Sequence, residues 1–551
     1  MRILGINQVA NVISWQHDAA AALVVDGKII ATAEEERFNR VRHARGFPTR
    51  AISYCLKEGG LELTDIDVIA VGYNPFGFIE HGRIPLHPVT LAQYIANIFI
   101  YQRKLKVFAK QAGAKVMYID HHMAHAASTY HCSGFDEANV LTIDGAGETE
   151  TFAYFEGKNG TLKRIWDIPL NIRWGKRVTR SIGLVYTSVT TLLNLGVSAE
   201  GKTMGLASYG KPVYDFSQIL SITDHTHYTI NRANVQKLYG NLGRTSAKGE
   251  LTQVHKDLAA SLQHALEEGL VNLAREAYER SGVKNFALAG GVALNCNTNQ
   301  RILDQDFCEG LYVIPAAHDG GVALGAALSA AEKLGEKIPL ERLETAYLGP
   351  EYSDEEIEVL LKEAKVAYEH CDNIESRVAD LLEDGKIVGW FQGRMEMGPR
   401  ALCNRTILAN PTMADMADRV NADVKHREKW RPFAPAVALE DAATYFTGLE
   451  KEKESPFMLR VSYVQEAYKD KLPATTHFDG SARIQTIKES QNPRAYKLLQ
   501  EVKKRSGMSV VMNTSFNDNS EPIVCSPKDA LRCFYGTGFD ALALGSFLIV
   551  K

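Results

Sequence analysis

The 551-residue chain lacks a paired Cys-x-x-Cys: its eight cysteines are scattered. That excludes a zinc-ribbon or disulfide framework and predicts reduced, mostly buried thiols. It also lacks a broad basic stripe. With 62 basic and 66 acidic residues and a formal net charge of -4, no polyanion-coating role follows, and no nucleic-acid partner is expected. Long apolar runs are missing too. The longest patch, residues 89–101, is interrupted by Gln93 and Asn97, so it reads as an amphipathic helix and not as a membrane span. The first residues, Met1-Arg2-Ile3-Leu4-Gly5-Ile6-Asn7, read as a strand without the apolar core and cleavage pattern of a secretory signal. A cytoplasmic protein without a membrane partner is the expectation. No low-complexity segment or short repeat array occurs. A Walker A loop is absent as well, because Gly201-Lys202-Thr203 has no upstream Gly-x-x-x-x.

A chain of this length exceeds one ordinary core and predicts two or three packed units. The opening reads as strands 2–7 and 19–25, an Asp26-Gly27 turn and a strand 28–33. A proline-led helix at 48–57 closes at Gly59-Gly60, and strands follow at 66–71 and 116–119. A comparable second set comprises paired strands at 140–143 and 151–155, a long amphipathic helix at 258–280, and a strand at 286–289 entering a glycine turn. Two such lobes fit a duplicated nucleotide-binding α/β architecture. The turn cluster Leu348-Gly349-Pro350-Glu351-Tyr352-Ser353, followed by an acidic helix from Asp354, places the main boundary between 1–349 and 350–551. The second α/β unit has strands predicted at 387–391, 509–512 and 541–544.

The chemistry-bearing residues fall in clusters. His121 and His125 in Asp120-His121-His122-Met123-Ala124-His125 are one helical turn apart and can aim two imidazoles at one ion. Paired histidines in an Ala-rich helix also serve packing. Thr142-Ile143-Asp144-Gly145 and His318-Asp319-Gly320-Gly321 each set a carboxylate after an apolar run, beside glycines that admit a phosphate. Nitrogen and oxygen donors without thiolate suit Fe(II), Mn(II) or Zn(II), and the ligand types leave that choice open. In Gln16-His17-Asp18, His17 stands at a strand edge, with a reference pKa suited to proton transfer at neutral pH. Lys202 lies amid glycines, and Gly290-Gly291-Val292-Ala293-Leu294-Asn295 follows a strand and opens a helix, the setting in which amides hold phosphate.

The second half instead interleaves cations with Gly, Pro and Phe. Gly393-Arg394-Met395-Glu396-Met397-Gly398-Pro399-Arg400 is followed by Lys425-His426-Arg427-Glu428-Lys429-Trp430-Arg431-Pro432-Phe433-Ala434-Pro435, then by Arg483 and Asn513-Thr514-Ser515-Phe516-Asn517. Prolines inside these runs argue against solvated helix faces. Guanidinium forks suit a compact dianion and a triphosphate. A salt-bridge network with neighbouring carboxylates is the competing reading.

Taken in order along nearly the whole chain, these motifs, with Glu34-Glu35-Glu36-Arg37-Phe38 and Glu200-Gly201-Lys202, resemble the O-carbamoyltransferases of the NodU/CmcH family. The resemblance implies an α/β fold class: an N-terminal two-lobed actin-like ATPase domain, similar to the tRNA threonylcarbamoyl transferase, and a C-terminal YrdC-like domain. It implies two half-reactions. Carbamoyl phosphate and ATP, the latter arriving with Mg²⁺, would form carbamoyl-adenylate on Arg400, Lys425, Arg427, Arg431, Arg483, Asn513 and Ser515 of the second domain. In the first, the adenylate would lie near iron(II) held by His121, His125, Asp144 and Asp319, with Lys202, Gly290, Gly291, Asn295 and Gly320 around the nucleotide. A small-molecule hydroxyl would then attack, with His17 and, near the same transfer site, Arg42 as catalytic candidates. The adenylate is expected to pass internally, away from water.

Rival enzyme readings are a tRNA threonylcarbamoyl transferase, which demands RNA binding that the charge does not favour, and a hydrogenase-maturation carbamoyltransferase, which needs zinc-finger cysteines. A nucleotide-gated binding protein or a sugar kinase leaves the second domain's cations unexplained. Acceptor identity lies in loops 74–88 and 211–251, which carry no recognised motif, and a homodimer is compatible with the size.

Overall fold

The computed structural model describes residues 1–8, 17–83, 88–173 and 177–551. The chain forms two compact units. Met1–Glu35 and His43–Leu343 make the first, and Glu36–Arg42 joins Glu344–Lys551 in the second. The division therefore falls at 343/344, not 349/350, and a short N-terminal piece belongs to the second unit.

The first unit is built twice on one plan. Its first sheet runs Lys28–Glu34, Ala20–Val25, Arg2–Asn7, Val68–Val71, Lys115–Tyr118. The opening strand pairs antiparallel with its hairpin neighbour, Ile3 facing Val24, and parallel with Val68–Val71. The second sheet repeats this order with Thr161–Pro169, Glu150–Lys158, Glu137–Ile143, Asn285–Ala289 and Gly310–Val313. A hairpin on one side of the founding strand and parallel crossovers on the other is the 3-2-1-4-5 arrangement of the duplicated actin-like fold. The parallel strands read as continuous apolar runs because helices cover them. Helix His121–Tyr130 packs on helix Val322–Lys333, where Ala124, Ala127, Ala323 and Ala326 are all fully buried and small enough for close approach.

Consequently His121, Asp144 and Gly290 lie just beyond the carboxyl ends of strands, Asp319 lies on the connection that follows Gly310–Val313, and His17-Asp18, at the amino end of Ala20–Val25, comes beside the carboxyl end of the antiparallel strand Arg2–Asn7. In open α/β sheets that is where ligands bind. The patch at residues 89–101 is part of a longer helix, Pro88–Ala112, and no described helix is long and apolar enough to cross a membrane. Of the loop at 74–88, residues 84–87 lie outside the described residues.

The second unit carries an eight-stranded mixed sheet, in the order Glu369–His370, Phe547–Val550, Ala541–Leu544, Val388–Phe391, Arg405–Ala409, Val510–Ser515, Ala434–Ala438, Gln485–Ile487. Period-two alternation divides its side chains between two cores. Val388, Trp390, Ala541 and Ala543 meet helices Ile374–Glu383 and Pro493–Ser506. Phe391, Leu542 and Leu544 meet Asp354–Glu363 and Pro527–Gly536. Glu36–Arg42 is tied here by hydrogen bonds from Arg37 to Gly398 O (2.8 Å) and from Arg40 to Ile523 O and Pro522 O (both 2.6 Å). Arg40 also pairs with Glu521 at 2.9 Å. All eight cysteines are buried and unbridged.

Candidate active site

In the first unit, helix His121–Tyr130 presents two imidazoles to two loop carboxylates. His121 Nε2 lies 3.1 Å from Asp144 Oδ2 and 3.4 Å from Asp319 Oδ1, while His125 Nε2 lies 3.3 and 3.6 Å from the same oxygens. The two Nε2 atoms are 3.1 Å apart. Ligand atoms bound at ~2.1 Å to one ion stand roughly 3.0 Å apart in an octahedral set and roughly 3.4 Å in a tetrahedral one. The four residues therefore fit a single divalent transition-metal ion. Burial opposes charge on His121, but Asp319 and Asp144 overcome it and hold its pKa well above the ordinary value. Burial likewise opposes ionised Asp144, and His121 and His125 hold it well below. Protons thus occupy the positions that a cation would take over.

The backbone aims these ligands. Asp144 Oδ1 accepts from the Gly145 amide (2.6 Å) and the Gly291 amide (3.3 Å), leaving Oδ2 for the histidines. Buried Glu148 accepts from the His121 and Asn74 amides. Gly290 has φ 91°, and a Cβ there would lie 2.1 Å from Ile143 O; at Gly291 it would lie 3.0 Å from Asp144 Oδ1. Gly291→Ala is therefore expected to displace the carboxylate and weaken metal affinity about 10–100-fold, the usual effect of disturbing an outer-shell partner. Titration against a chelating dye measures this.

His17 adjoins this cluster. Its Nδ1 lies 2.7 Å from Asp18 Oδ2 and 4.0 Å from Asp319 Oδ2. Burial opposes its charged form, yet the Asp18 bond and the charges of Asp319, Asp18 and Asp144 raise its pKa to about 10. Asn7, at the end of the first strand, donates to His17 O, Asp18 O and Asp319 O, fixing the two loops to each other. Sequence reasoning missed Asn7, Glu148 and His43. Only a strand-terminal position marked the first, and nothing local marked the others.

Lys202 stands on the short helix Glu200–Ala207. Gly320 lies where an added Cβ would be 2.9 Å from Glu34 Oε1. Asn295 caps helix Cys296–Leu303 by accepting from Thr298 N, and pairs amide to amide with Gln263 at 2.9 Å. Its side chain serves the fold.

In the second unit, Lys425 is buried with its ammonium against Ser515 O, Ser515 Oγ (3.0 Å), Asn517 O (3.0 Å) and Asn517 Oδ1 (2.8 Å). Burial, with Arg427, Arg431 and Arg42 nearby, pushes its pKa well below the lysine value. Arg427 is pushed well down by burial and Arg431; it stacks 4.6 Å from Phe433 and donates to Asn421 Oδ1 at 2.6 Å. Arg431 is lowered by burial and by Arg42 and Arg483, against Glu428. His477 is pushed to about 4, first by burial, with Arg483 adding to it. Positive groups that depress one another's pKa favour an anion. Salt-bridging carboxylates, chiefly Glu428 at 3.9 Å from Arg431, do not cancel the effect.

Arg400 lies on the loop braced by Glu396, whose Oε1 accepts from Leu402 N (2.7 Å), Asn404 N (2.8 Å) and Arg405 N (3.0 Å). Asn513 is buried between Thr406, Gln485 and Ala401, so it supports the strand that ends at Ser515, two residues before Asn517. Arg42 also belongs to this unit: its Nε donates to Glu521 O at 3.0 Å.

Residues 2–328 match the family described as Carbamoyltransferase N-terminus, and residues 379–551 match Carbamoyltransferase C-terminus. Nodulation protein NolNO of Sinorhizobium fredii is 39% identical over 98% of this chain and 79% of its own length. A 3'-hydroxymethylcephem-O-carbamoyltransferase of Amycolatopsis lactamdurans is 26% identical over 96% of each chain. Among solved structures, HypF of T. kodakarensis is similar at 15% identity and a TM-score of 0.38, covering 60% of this chain and 47% of its own; the fold assignment rests on strand order instead. With both halves matched in sequence order, the chain belongs to the carbamoyltransferase family and is a transferase enzyme.

Proposed function

We propose that this carbamoyltransferase consumes ATP, forming carbamoyl-adenylate from carbamoyl phosphate in its second unit and moving the carbamoyl group to a small-molecule hydroxyl in its first. What carries the reading is that one transferase chain holds two chemically unlike sites: a His₂Asp₂ cluster beside a histidine base, and a buried knot of cations. A one-site transfer from carbamoyl phosphate has no need of the second set.

In the second unit, Arg400, Arg427, Arg431, Arg483 and Arg42 supply planar donors for phosphate oxygens, and Lys425 holds Ser515 and Asn517 in place. Water cleaves carbamoyl phosphate to carbamate and inorganic phosphate, and a carbamate oxygen then attacks the α-phosphorus of ATP, expelling pyrophosphate, with Mg²⁺ carried by ATP and few protein ligands needed for it. In the first unit, Lys202 and the glycine turns at Gly290, Gly291 and Gly320, where no side chain blocks the approach, receive the adenylate phosphate. His121, His125, Asp144 and Asp319 would hold iron(II) or a similar ion, which as a Lewis acid polarises an acyl or phosphoryl oxygen. A cation on that ligand set would offset the Asp144 and Asp319 charges that otherwise keep His17 protonated, and His17 then takes the acceptor's proton. A hydroxyl acceptor is supported by the cephem relative, whose name specifies a hydroxymethyl group and O-carbamoyl transfer.

Incubation with ATP and labelled carbamoyl phosphate tests this. Pyrophosphate release that requires carbamoyl phosphate, with AMP appearing as acceptor is carbamoylated, is the expected result. Formation of ADP, or pyrophosphate release indifferent to carbamoyl phosphate, contradicts it.

A further inference from the structure

Beside the metal-ligand cluster, Asp18 is shared by two imidazoles. Its Oδ2 lies 2.7 Å from His17 Nδ1 and its Oδ1 lies 2.8 Å from His43 Nδ1. The two rings stand 5.8 Å apart, inclined at 74°. Asp18 is 3% exposed. The arrangement requires unusual backbone: Asp18 has φ 56° and His43 φ 50°, left-handed conformations that are uncommon outside glycine and concentrate where surrounding structure enforces them for function. Asn7 secures the Asp18 carbonyl and, with it, the loop of Asp319.

We propose that Asp18 and His43 are positioning residues for His17, a His–Asp–His relay that serves the hydroxyl-transfer step; the proposal rests on the function given above. With its Nδ1 held on Asp18, His17 has its ring orientation fixed and Nε2 left as the nitrogen that meets the acceptor. As the hydroxyl oxygen bonds to the carbamoyl carbon, its proton goes to Nε2. The bond between that carbon and the phosphate-bridging oxygen breaks, and AMP leaves with the electron pair. The imidazolium is stabilised by Asp18 and later loses its proton to water. His43, donating to the other carboxylate oxygen, stops Asp18 from rotating away. A second metal centre on His17, Asp18 and His43 is the competing use of the same atoms. Each imidazole, however, meets its own carboxylate oxygen at hydrogen-bond distance, so the three residues form a chain of paired groups.

The test compares two nucleophiles in the holoenzyme. Glycerol, in large excess, needs its proton removed. Hydroxylamine attacks as a free amine at neutral pH and does not. Asp18→Asn is expected to slow glycerol carbamoylation about 10²–10⁴-fold, in the range seen when a triad carboxylate is lost, and His43→Ala about tenfold or more, with kcat and not KM affected. Hydroxylamine trapping and carbamoyl-phosphate-dependent ATP–pyrophosphate exchange should stay within about threefold of wild type. His43→Gln, which keeps a donor toward Asp18, should recover most of the glycerol rate and serves if the alanine variant folds poorly. Equal loss with both nucleophiles overturns the relay. So does a second equivalent of bound iron or zinc that His43→Ala removes. Wild-type enzyme without pyrophosphate exchange contradicts the underlying reaction scheme itself.

Discussion

His121→Ala is expected to abolish carbamoyl transfer to alcohols, by about 10³-fold or more, while ATP–pyrophosphate exchange driven by carbamoyl phosphate remains within about twofold. His121 Nε2 lies 3.1 Å from both His125 Nε2 and Asp144 Oδ2. Removing it takes one of four ligands and leaves only His125 of the two imidazoles that hold Asp144 and Asp319 ionised. Their pKa values then rise toward those of buried carboxylic acids, which weakens any remaining cation site further. Quenched-flow assay of the two half-reactions, with metal analysis of the purified variant, separates this from loss of fold. Equal loss of exchange and transfer would mean that the two clusters do not divide the chemistry.

The second large effect is the mirror image. Lys425→Met keeps the side chain's length and removes its ammonium. Ser515 and Asn517 lose their shared donor, so several buried oxygens go unsatisfied at about 1–3 kcal/mol each. Exchange should fall about 10²–10³-fold, the typical consequence of deleting one anion-stabilising donor. Carbamoyl transfer from pre-formed adenylate should continue. Carbamoyl phosphate should also cease to raise the unfolding temperature, since only a ligand bound by the native state stabilises it. Adenylation at the wild-type rate in this variant would remove the cation knot from the mechanism.

Much of this was legible in residue order because the relevant signals are local. The strand Arg2–Asn7 follows from an apolar run, and the i, i+4 spacing places both imidazoles on one face of a helix. Asp144 comes to the site because it directly follows the strand Glu137–Ile143, and Asp319 because it opens the turn between the strand Gly310–Val313 and the helix Val322–Lys333. What stayed hidden depends on contacts far apart in sequence. Arg40 and Glu521, 481 residues apart, draw Glu36–Arg42 into the second unit, yet locally that segment reads as a turn of helix after a hairpin. His43 reaches Asp18 only through left-handed backbone at both residues, which neither residue type announces. Asn295 and Asn513 illustrate the converse. Both sit in motifs that suggest ligand contact, and both carry amides satisfied by Gln263, Thr298, Gln485 and Thr406. A polar side chain next to a phosphate-type turn has the same appearance in sequence whether it faces a ligand or caps a helix.

The most direct test of two sites making and then using an adenylate follows one oxygen atom. When carbamoyl phosphate labelled with ¹⁸O in its carbonyl is supplied with ATP and an accepted alcohol, its cleavage gives a carbamate whose two oxygens are equivalent, so either can bridge to the α-phosphorus, and later attack at the carbamoyl carbon leaves that bridging oxygen on phosphorus. Mass spectrometry should then find ¹⁸O in the AMP, in step with carbamate ester formed. AMP free of label, alongside labelled carbamate ester, would show that the carbamoyl group never became joined to adenylate and would contradict the account.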